Sequence, residues 1–505
     1  MSSADPRVPS PRLDGHTDAV LERLRALRAG DAPTHGGRVL SYVYDSGMAE
    51  LDELADAAAR VARPLNGLDP TVFPSIAAME RDLIGFARRM LHGDRSVVGT
   101  VTSGGTESCL LAVKTARDLW RLDRRAGDRH NERLPGSRPR IVAPASAHAA
   151  FRKAAQLFDL AFDAVPCGAD GAVAASDLIA RLDDDVALVV VSAPAYPTGV
   201  LDPIAEVAAA ASARAIACHV DACFGGFVLP WWRDVPRWDF RVRGVTSISA
   251  DLHKFGYAPK GVSVLLHRGR RRQRAQFFAT TDWAGYPVVN PTLLGSRSAS
   301  PLAAAWAITQ HLGDSGYAGL TASIHRVAVA VTDAVAGIRG LRVLGDPVGP
   351  AIAVVADLGV PADQRVDPHR LADALMAYGW KIQHQPGLVQ RDGTRLPHSA
   401  HLTLTPVLEQ RVDEFTGALT AAADEVRGKR PADARMLVAA LRVLGYGEGG
   451  RVPGPTSAWL LLRLAGAGRV AADRPMSLLM SLIEQLPHPV AEALLTELLA
   501  RLSEP

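Results

Sequence analysis

The chain has 505 residues, 48% of them apolar and 22% charged, with a formal net charge of +3. That length suits two or three domains rather than one simple core, and near-neutral charge calls for no nucleic-acid partner. No apolar run reaches the roughly 18 residues of a membrane span; the best candidate, Trp459 to Leu464, contains Arg463. The opening MSSADPRVPSPRLDGH lacks the apolar stretch of a secretory signal. Cys109, Cys167, Cys218 and Cys223 form no C-x-x-C pair, so reduced thiols in a soluble, cytoplasmic protein are expected.

Residues 1–37 read as irregular apart from a short helix, Ala19 to Arg28. The spacing of Leu51, Leu54, Ala55, Ala58 and Val61 predicts a helix from Met48 to Arg63, and another runs from Ile76 to Leu91. A strand at Val97 to Val101 leads through a Gly-rich turn into a helix from Ser108 to Trp120. The charged segment Leu122 to Arg140 reads as a surface connection. Strands follow at Arg140–Ala143, Val186–Ser192, Ala215–Val220, Val245–Ser249 and Val262–His267, most of them separated by helical stretches. Short β-branched strands alternating with helices predict an α/β fold whose mostly parallel sheet is covered on both faces. The Arg-rich run His267 to Arg274 reads as a solvated turn. A long helix follows from Leu302 to about Ile338, then a small α+β unit with strands at Leu341–Leu344, Ala351–Ala356 and His401–Thr405. Pro431 to Pro505 is helical, with a break from Gly445 to Pro455. The expected division is an N-terminal segment (1–95), a large α/β domain (96–312), a small α+β domain (313–430) and a helical extension (431–505).

Only six lysines accompany 50 arginines, yet Lys254 and Lys260 stand in one segment, S-I-S-A-D-L-H-K-F-G-Y-A-P-K-G at 247–261. Arginine keeps its proton in proteins, whereas a desolvated lysine becomes a nucleophile that condenses with an aldehyde. His253 and Lys254 past an apolar strand therefore read as the attachment point of pyridoxal phosphate (PLP), against the plainer reading of a surface lysine. Thr102 to Ser108, T-S-G-G-T-E-S, follows a strand and opens a helix, an arrangement that offers N–H groups to a phosphate; such turns are also common without one. His148 ends the next strand and is placed to lie on a cofactor ring or to bond within its loop. Asp221 ends another; it either holds a pyridine nitrogen protonated or forms a structural ion pair. The order of the four features along the chain favours the cofactor reading.

With A-H-A-A-F-R-K-A at 147–154, S-A-P-A-Y-P-T-G at 192–199 and H-V-D-A-C-F-G-G-F at 219–227, the chain resembles the sphingosine-1-phosphate lyases, within the group II PLP-dependent decarboxylases of fold type I. The resemblance covers roughly Gly37 to Leu419. It implies a large domain with a mostly parallel sheet plus a small α+β domain. It also implies Lys254 as the Schiff-base lysine, Asp221 at the pyridinium and His148 on the ring, with Gly105, Thr106, Ser249 and His253 around the phosphate. Tyr44, Tyr196 and Lys260 match residues on the substrate side. The resemblance further implies a homodimer whose G-S-R loop reaches across the subunit boundary, with Ser296 among the cofactor contacts. Two loops depart from the family pattern: R-P-L-N-G-L-D-P-T-V-F-P at 63–74 and G-S-R-S-A-S at 295–300.

Three functions are open to such a chain. One is a carbon–carbon lyase cleaving a phosphorylated amino alcohol, such as a phosphorylated long-chain base, by retro-aldol chemistry. The second is an amino-acid decarboxylase, and the third a scaffold without catalysis. Y-A-P-K-G and the G-S-R loop favour the first; the altered loops leave room for the second, and the set of Lys254, Asp221 and His148 speaks against the third. Lys260 or Tyr196 would carry a proton, or clamp a substrate phosphate. The C-terminal extension reads as a helical cap or dimer-packing element.

Overall fold

The computed structural model describes residues 16–127, 138–464 and 475–504. The opening residues 1–15, and 128–137 of the expected charged connection, lie outside them. Seven strands form the central sheet: β1 (Val97–Thr102), β2 (Arg140–Pro144), β3 (Ala161–Val165), β4 (Val186–Ser192), β5 (Ala217–Asp221), β6 (Ser247–Ala250) and β7 (Ser263–Arg268). Their order is β1-β7-β6-β5-β4-β2-β3. Pairings from β3 through β2, β4 and β5 to β6 are parallel, while β7 is antiparallel to both β6 and β1. Six strands therefore point the same way, and their C-terminal ends share one edge.

The sequence of β4, V-A-L-V-V-V-S, is buried at every residue. Leu188 and Val190 pack in one apolar cluster with the helices Gly105–Gly127 and Ala150–Phe158. Val189 and Val191 join the cluster on the opposite face, with helix Ile204–Ala213. A strand covered on both faces needs no polar alternation, and each fully buried Val or Leu contributes about 1.5–3 kcal/mol.

Several elements differ from expectation. Helix Gly105–Gly127 starts inside the Gly-Gly turn and runs into the segment expected as a connection. Edge strand β3 was not expected: it is short, and half-buried at four of its five residues. The Arg-rich run ends in a short helix, Arg270–Gln276, rather than a turn. The long helix Ser300–Gly337 is interrupted at Gly313, whose φ is +51°.

A second sheet, wholly antiparallel, orders Leu341–Val343, Ala351–Ala356, Ser399–Thr403 and Gln383–Gln385, with the unexpected last strand at its edge. The extension contains the helices Arg435–Val443, Pro455–Leu464, Ser477–Gln485 and His488–Leu502, which share an apolar cluster of their own around Leu441, Leu462, Leu482 and Leu494. Among the described residues no helix is long and apolar enough to cross a membrane.

Candidate active site

The shared strand edge opens into a cavity of about 560 Å³. At one end, β1 turns through Ser103 and Gly104 into the helix beginning at Gly105. Glu107 closes the turn: its Oε2 accepts from the Ser103 amide at 2.6 Å, and Oε1 from the Leu293 amide at 2.7 Å. A Glu at this place satisfies an amide left open before the helix start. Glycine is required at 105, because a Cβ there would lie 2.6 Å from Asp251 Oδ2 and 2.9 Å from Cys223 Sγ. The result is an open helix N-terminus lined by Gly104, Gly105 and Thr106, a fitting cradle for a phosphate.

Asp221 stands at the end of β5. Its Oδ1 accepts from the Cys223 amide at 3.1 Å and from Ser249 Oγ at 3.4 Å. Ser249 in turn meets His219 Nε2 at 3.1 Å, and His219 Nδ1 meets Ser247 Oγ at 2.9 Å. Burial alone would push the Asp221 carboxyl up, but His148 and Lys254, with the Cys223 amide, outweigh it and hold the group below the usual carboxylate range. Burial brings His219 down to about 4. Asp221 is thus ionised and backed by a neutral imidazole.

Lys254 follows β6, with its Nζ 3.0 Å from Asp251 Oδ2. Burial works against its charge, yet Asp251 above all holds the amine well over the ordinary lysine range. As an ammonium it cannot attack an aldehyde, so it must first pass on a proton. The Asp251 carboxylate is the adjacent acceptor. Asp251 Oδ1 and His253 Nδ1 are buried without a hydrogen-bond partner.

Tyrosines form the opposite wall. Tyr196 donates its hydroxyl to Gln383 Oε1 at 2.6 Å, and Ser41 Oγ donates to the same oxygen at 3.1 Å. Tyr44 packs edge-on against Phe224 and Phe255. Burial pushes Tyr196 up to about 12 and Tyr44 above the ordinary phenol range, so both keep their protons at neutral pH. Lys260 Nζ donates to the His253 carbonyl at 2.8 Å and lies 4.3 Å over the Tyr44 ring. Although the residue is exposed, shielding of its ammonium and then the charge of Lys254 bring it down to about 8, against the pull of Asp251.

Of the sequence-predicted residues, Gly105, Thr106, His148, Asp221, His253, Lys254, Tyr44 and Tyr196 line this one cavity. Three do not. Ser249 is fully buried beside Asp221, because the β5–β6 register sets the two opposite each other. Lys260 sits behind Tyr44. Ser296 lines a neighbouring cavity, its loop folded back so that Asn66 Nδ2 donates to Ser296 Oγ at 3.1 Å and Arg297 donates to the Gly67 and Val101 carbonyls at 3.2 and 2.9 Å. Sequence reasoning missed Asp251, Cys109, Cys223, Phe224, Tyr42 and Gln383 on the cavity wall. Asp251 had a signal, three residues before Lys254 in the same motif; Gln383 had none.

The fold and the site together define a class, the type I PLP enzymes. The residues fit the cofactor: an anion cradle, an amine, an ionised carboxylate and unpartnered buried polar atoms at its edge. Residues 54–337 match the pyridoxal-dependent decarboxylase conserved domain. Sphingosine-1-phosphate lyase 1 of Rattus norvegicus is 36% identical over 396 residues, 77% of this chain and 65% of the rat protein. The chain thus spans just under two thirds of that relative's length. The Oryza sativa sphingosine-1-phosphate lyase is 32% identical over 87% of this chain and 78% of its own. The solved sphingosine-1-phosphate lyase of Burkholderia pseudomallei superposes with a TM-score of 0.73 at 33% identity, covering 88% of this chain and 96% of that one. Glutamate decarboxylase of Lactobacillus brevis shares the fold, with a TM-score of 0.71 at 22% identity. The chain belongs to the pyridoxal-dependent decarboxylase family, in its sphingosine-1-phosphate lyase branch, and its cofactor is PLP.

Proposed function

We propose that this protein is a PLP-dependent carbon–carbon lyase that cleaves a phosphorylated amino alcohol, of the long-chain-base type, into an aldehyde and an amino-phosphate. One observation carries the reading: Lys254, Asp221 and His148 meet in one cavity that faces proton-holding tyrosines, in a chain 32–36% identical to sphingosine-1-phosphate lyases. Bound PLP supplies an electron sink for the carbon bearing the substrate amine.

In this reading the residues divide the work. Lys254 would hold the cofactor through its amine, and Asp251 beside it would take up the proton that the ammonium must first give up. Asp221 would keep the ring nitrogen protonated by its negative charge, and His148 would help to hold the ring. Gly105, Thr106 and His253 hold the phosphate; Ser249 acts from behind, fixing Asp221 and His219. For retro-aldol cleavage a base takes the proton of the hydroxyl next to the amine-bearing carbon. The carbon–carbon bond then breaks, its electron pair staying on that carbon. Lys260, brought down to about 8 and set behind Tyr44, is that base by way of one intervening water, while Tyr196 and Tyr44 donate hydrogen bonds to the substrate.

Loss of a carboxylate from an amino acid is the second reading, kept open by the altered loops at 63–74 and 295–300. We also propose the four-part division at residues 95, 312 and 430, a cytoplasmic homodimer in which the Ser296 loop serves the neighbouring subunit, and no nucleic-acid partner. Incubation with a phosphorylated long-chain base, and separately with amino acids, tests the function. Aldehyde and amino-phosphate released in equal amounts are expected. Carbon dioxide from an amino acid, without aldehyde, would replace the lyase by the decarboxylase.

A further inference from the structure

Helix Ser477–Gln485 of the C-terminal extension is fixed at both ends to the small domain by carboxylates. At its start, Asp373 accepts from the Met476 amide at 2.8 Å and the Ser477 amide at 3.2 Å, satisfying N–H groups left open at the helix end. The same carboxylate lies 3.0 Å from His384 Nε2. Near its other end, Glu484 accepts from the Gly387 amide at 3.1 Å and lies 3.0 Å from His369 Nε2. His369 and Glu484 are only 5% and 8% exposed, so these contacts are shielded from water and stronger than surface pairs.

The two pins flank a single short strand, Gln383–Gln385. It is the edge of its sheet and pairs on one side alone, with Ser399–Thr403. Edge strands lack a second ladder to fix them. The first residue of this strand reaches the active site, where Gln383 Oε1 accepts from both Tyr196 and Ser41. His384 points its imidazole to Asp373 on the side of the extension.

We propose that helix Ser477–Gln485 is a clamp that positions Gln383, and through it Tyr196, on the substrate side of the cavity, with Glu484 and Asp373 as positioning residues. The proposal rests on the reading of this cavity as the active site. The cofactor side has no part in it, since the contacts of Asp221, Lys254 and the phosphate cradle come from other elements.

The test uses the full-length holoenzyme with Glu484→Ala, Gln383→Ala and the double variant. Each should keep the cofactor absorbance of the wild type. Glu484→Ala should lower kcat/KM for a phosphorylated long-chain base about tenfold, in the range that the loss of one positioning contact produces. Because both act through one contact, the double variant should be no worse than Gln383→Ala alone. Hydrogen exchange should quicken at amides 383–385 in Glu484→Ala and stay unchanged at 247–256. Additive losses, or unchanged exchange at 383–385, would overturn the clamp. If Glu484→Ala does not fold, Glu484→Gln, which keeps an acceptor for Gly387 but loses the charge, is read by the same two measures. Should the wild type cleave no phosphorylated long-chain base, the lyase reading fails, and the exchange result still decides the clamp.

Discussion

On the cofactor side of the cavity, the polar groups come from the ends of β1, β2, β5 and β6, which all belong to one sheet. The opposite side draws Tyr44 from before the sheet, Tyr196 from after β4 and Gln383 from the second domain, supported in turn by the extension. Asp221, Ser249 and His219 are held by a buried chain of hydrogen bonds. Gln383 depends on an edge strand pinned from outside. The difference implies that substitutions on the first side change the chemistry, whereas those on the second change how well substrate is held.

Asp221→Asn should give the largest effect: the cofactor stays bound, and turnover falls a hundredfold to a thousandfold, because a neutral amide removes the charge that sustains the electron sink. Turnover within a few fold of wild type would make Asp221 merely structural and erase the contrast between the walls.

Lys260 sharpens the comparison, since it lies behind Tyr44. The neutral amine forms as pH rises through about 8, so the rate of cleavage should climb with pH along that limb. Lys260→Arg keeps the charge but cannot yield a proton; the limb should vanish and the rate fall by about a hundredfold with cofactor absorbance intact. An active Lys260→Arg, with Lys260→Ala losing affinity for phosphorylated substrates, would make the residue a phosphate clamp instead.

Gly105→Ala should weaken cofactor binding by roughly tenfold, as its methyl enters the space of Asp251 and Cys223. Equilibrium titration with PLP measures this, and unchanged affinity would show that the cradle gives way easily.

The smallest effect concerns an ion pair within the small domain. His398 Nε2 lies 2.8 Å from Asp367 Oδ2. Burial would lower His398, but Asp367 raises it overall; burial would raise Asp367, but His398 lowers it overall. The histidine's contribution is full below the ordinary imidazole range and fades as pH rises through its raised value. The aspartate's is full above the ordinary carboxylate range and fades as pH falls through its lowered value. Stability from the pair should therefore peak at mildly acidic pH. His398→Gln should lose about 1 kcal/mol there and less at alkaline pH, by denaturant titration.

How legible each wall was in the sequence follows from the same construction. Lys254, Asp221 and Gly105 stand in local motifs, because a strand end and the turn after it are contiguous in the chain. The strand β4 was readable from V-A-L-V-V-V-S alone. Ser249 sits in the motif too, but whether its hydroxyl faces the cavity is set by the β5–β6 register, which no local pattern reveals. Gln383 and Glu484 gain their contacts through pairings across long stretches of chain and carry no periodic signal. Ser296 is placed by a loop folded against Asn66 and Gly67, again a long-range contact.

The most direct measurement is reduction of the purified, PLP-loaded protein with borohydride, followed by peptide mapping. The preparation should be yellow before reduction, as expected of an imine on a lysine amine, and the pyridoxyl label should lie on Lys254 alone. A label on another residue, or none with PLP in excess, would contradict the placement of the cofactor in this cavity.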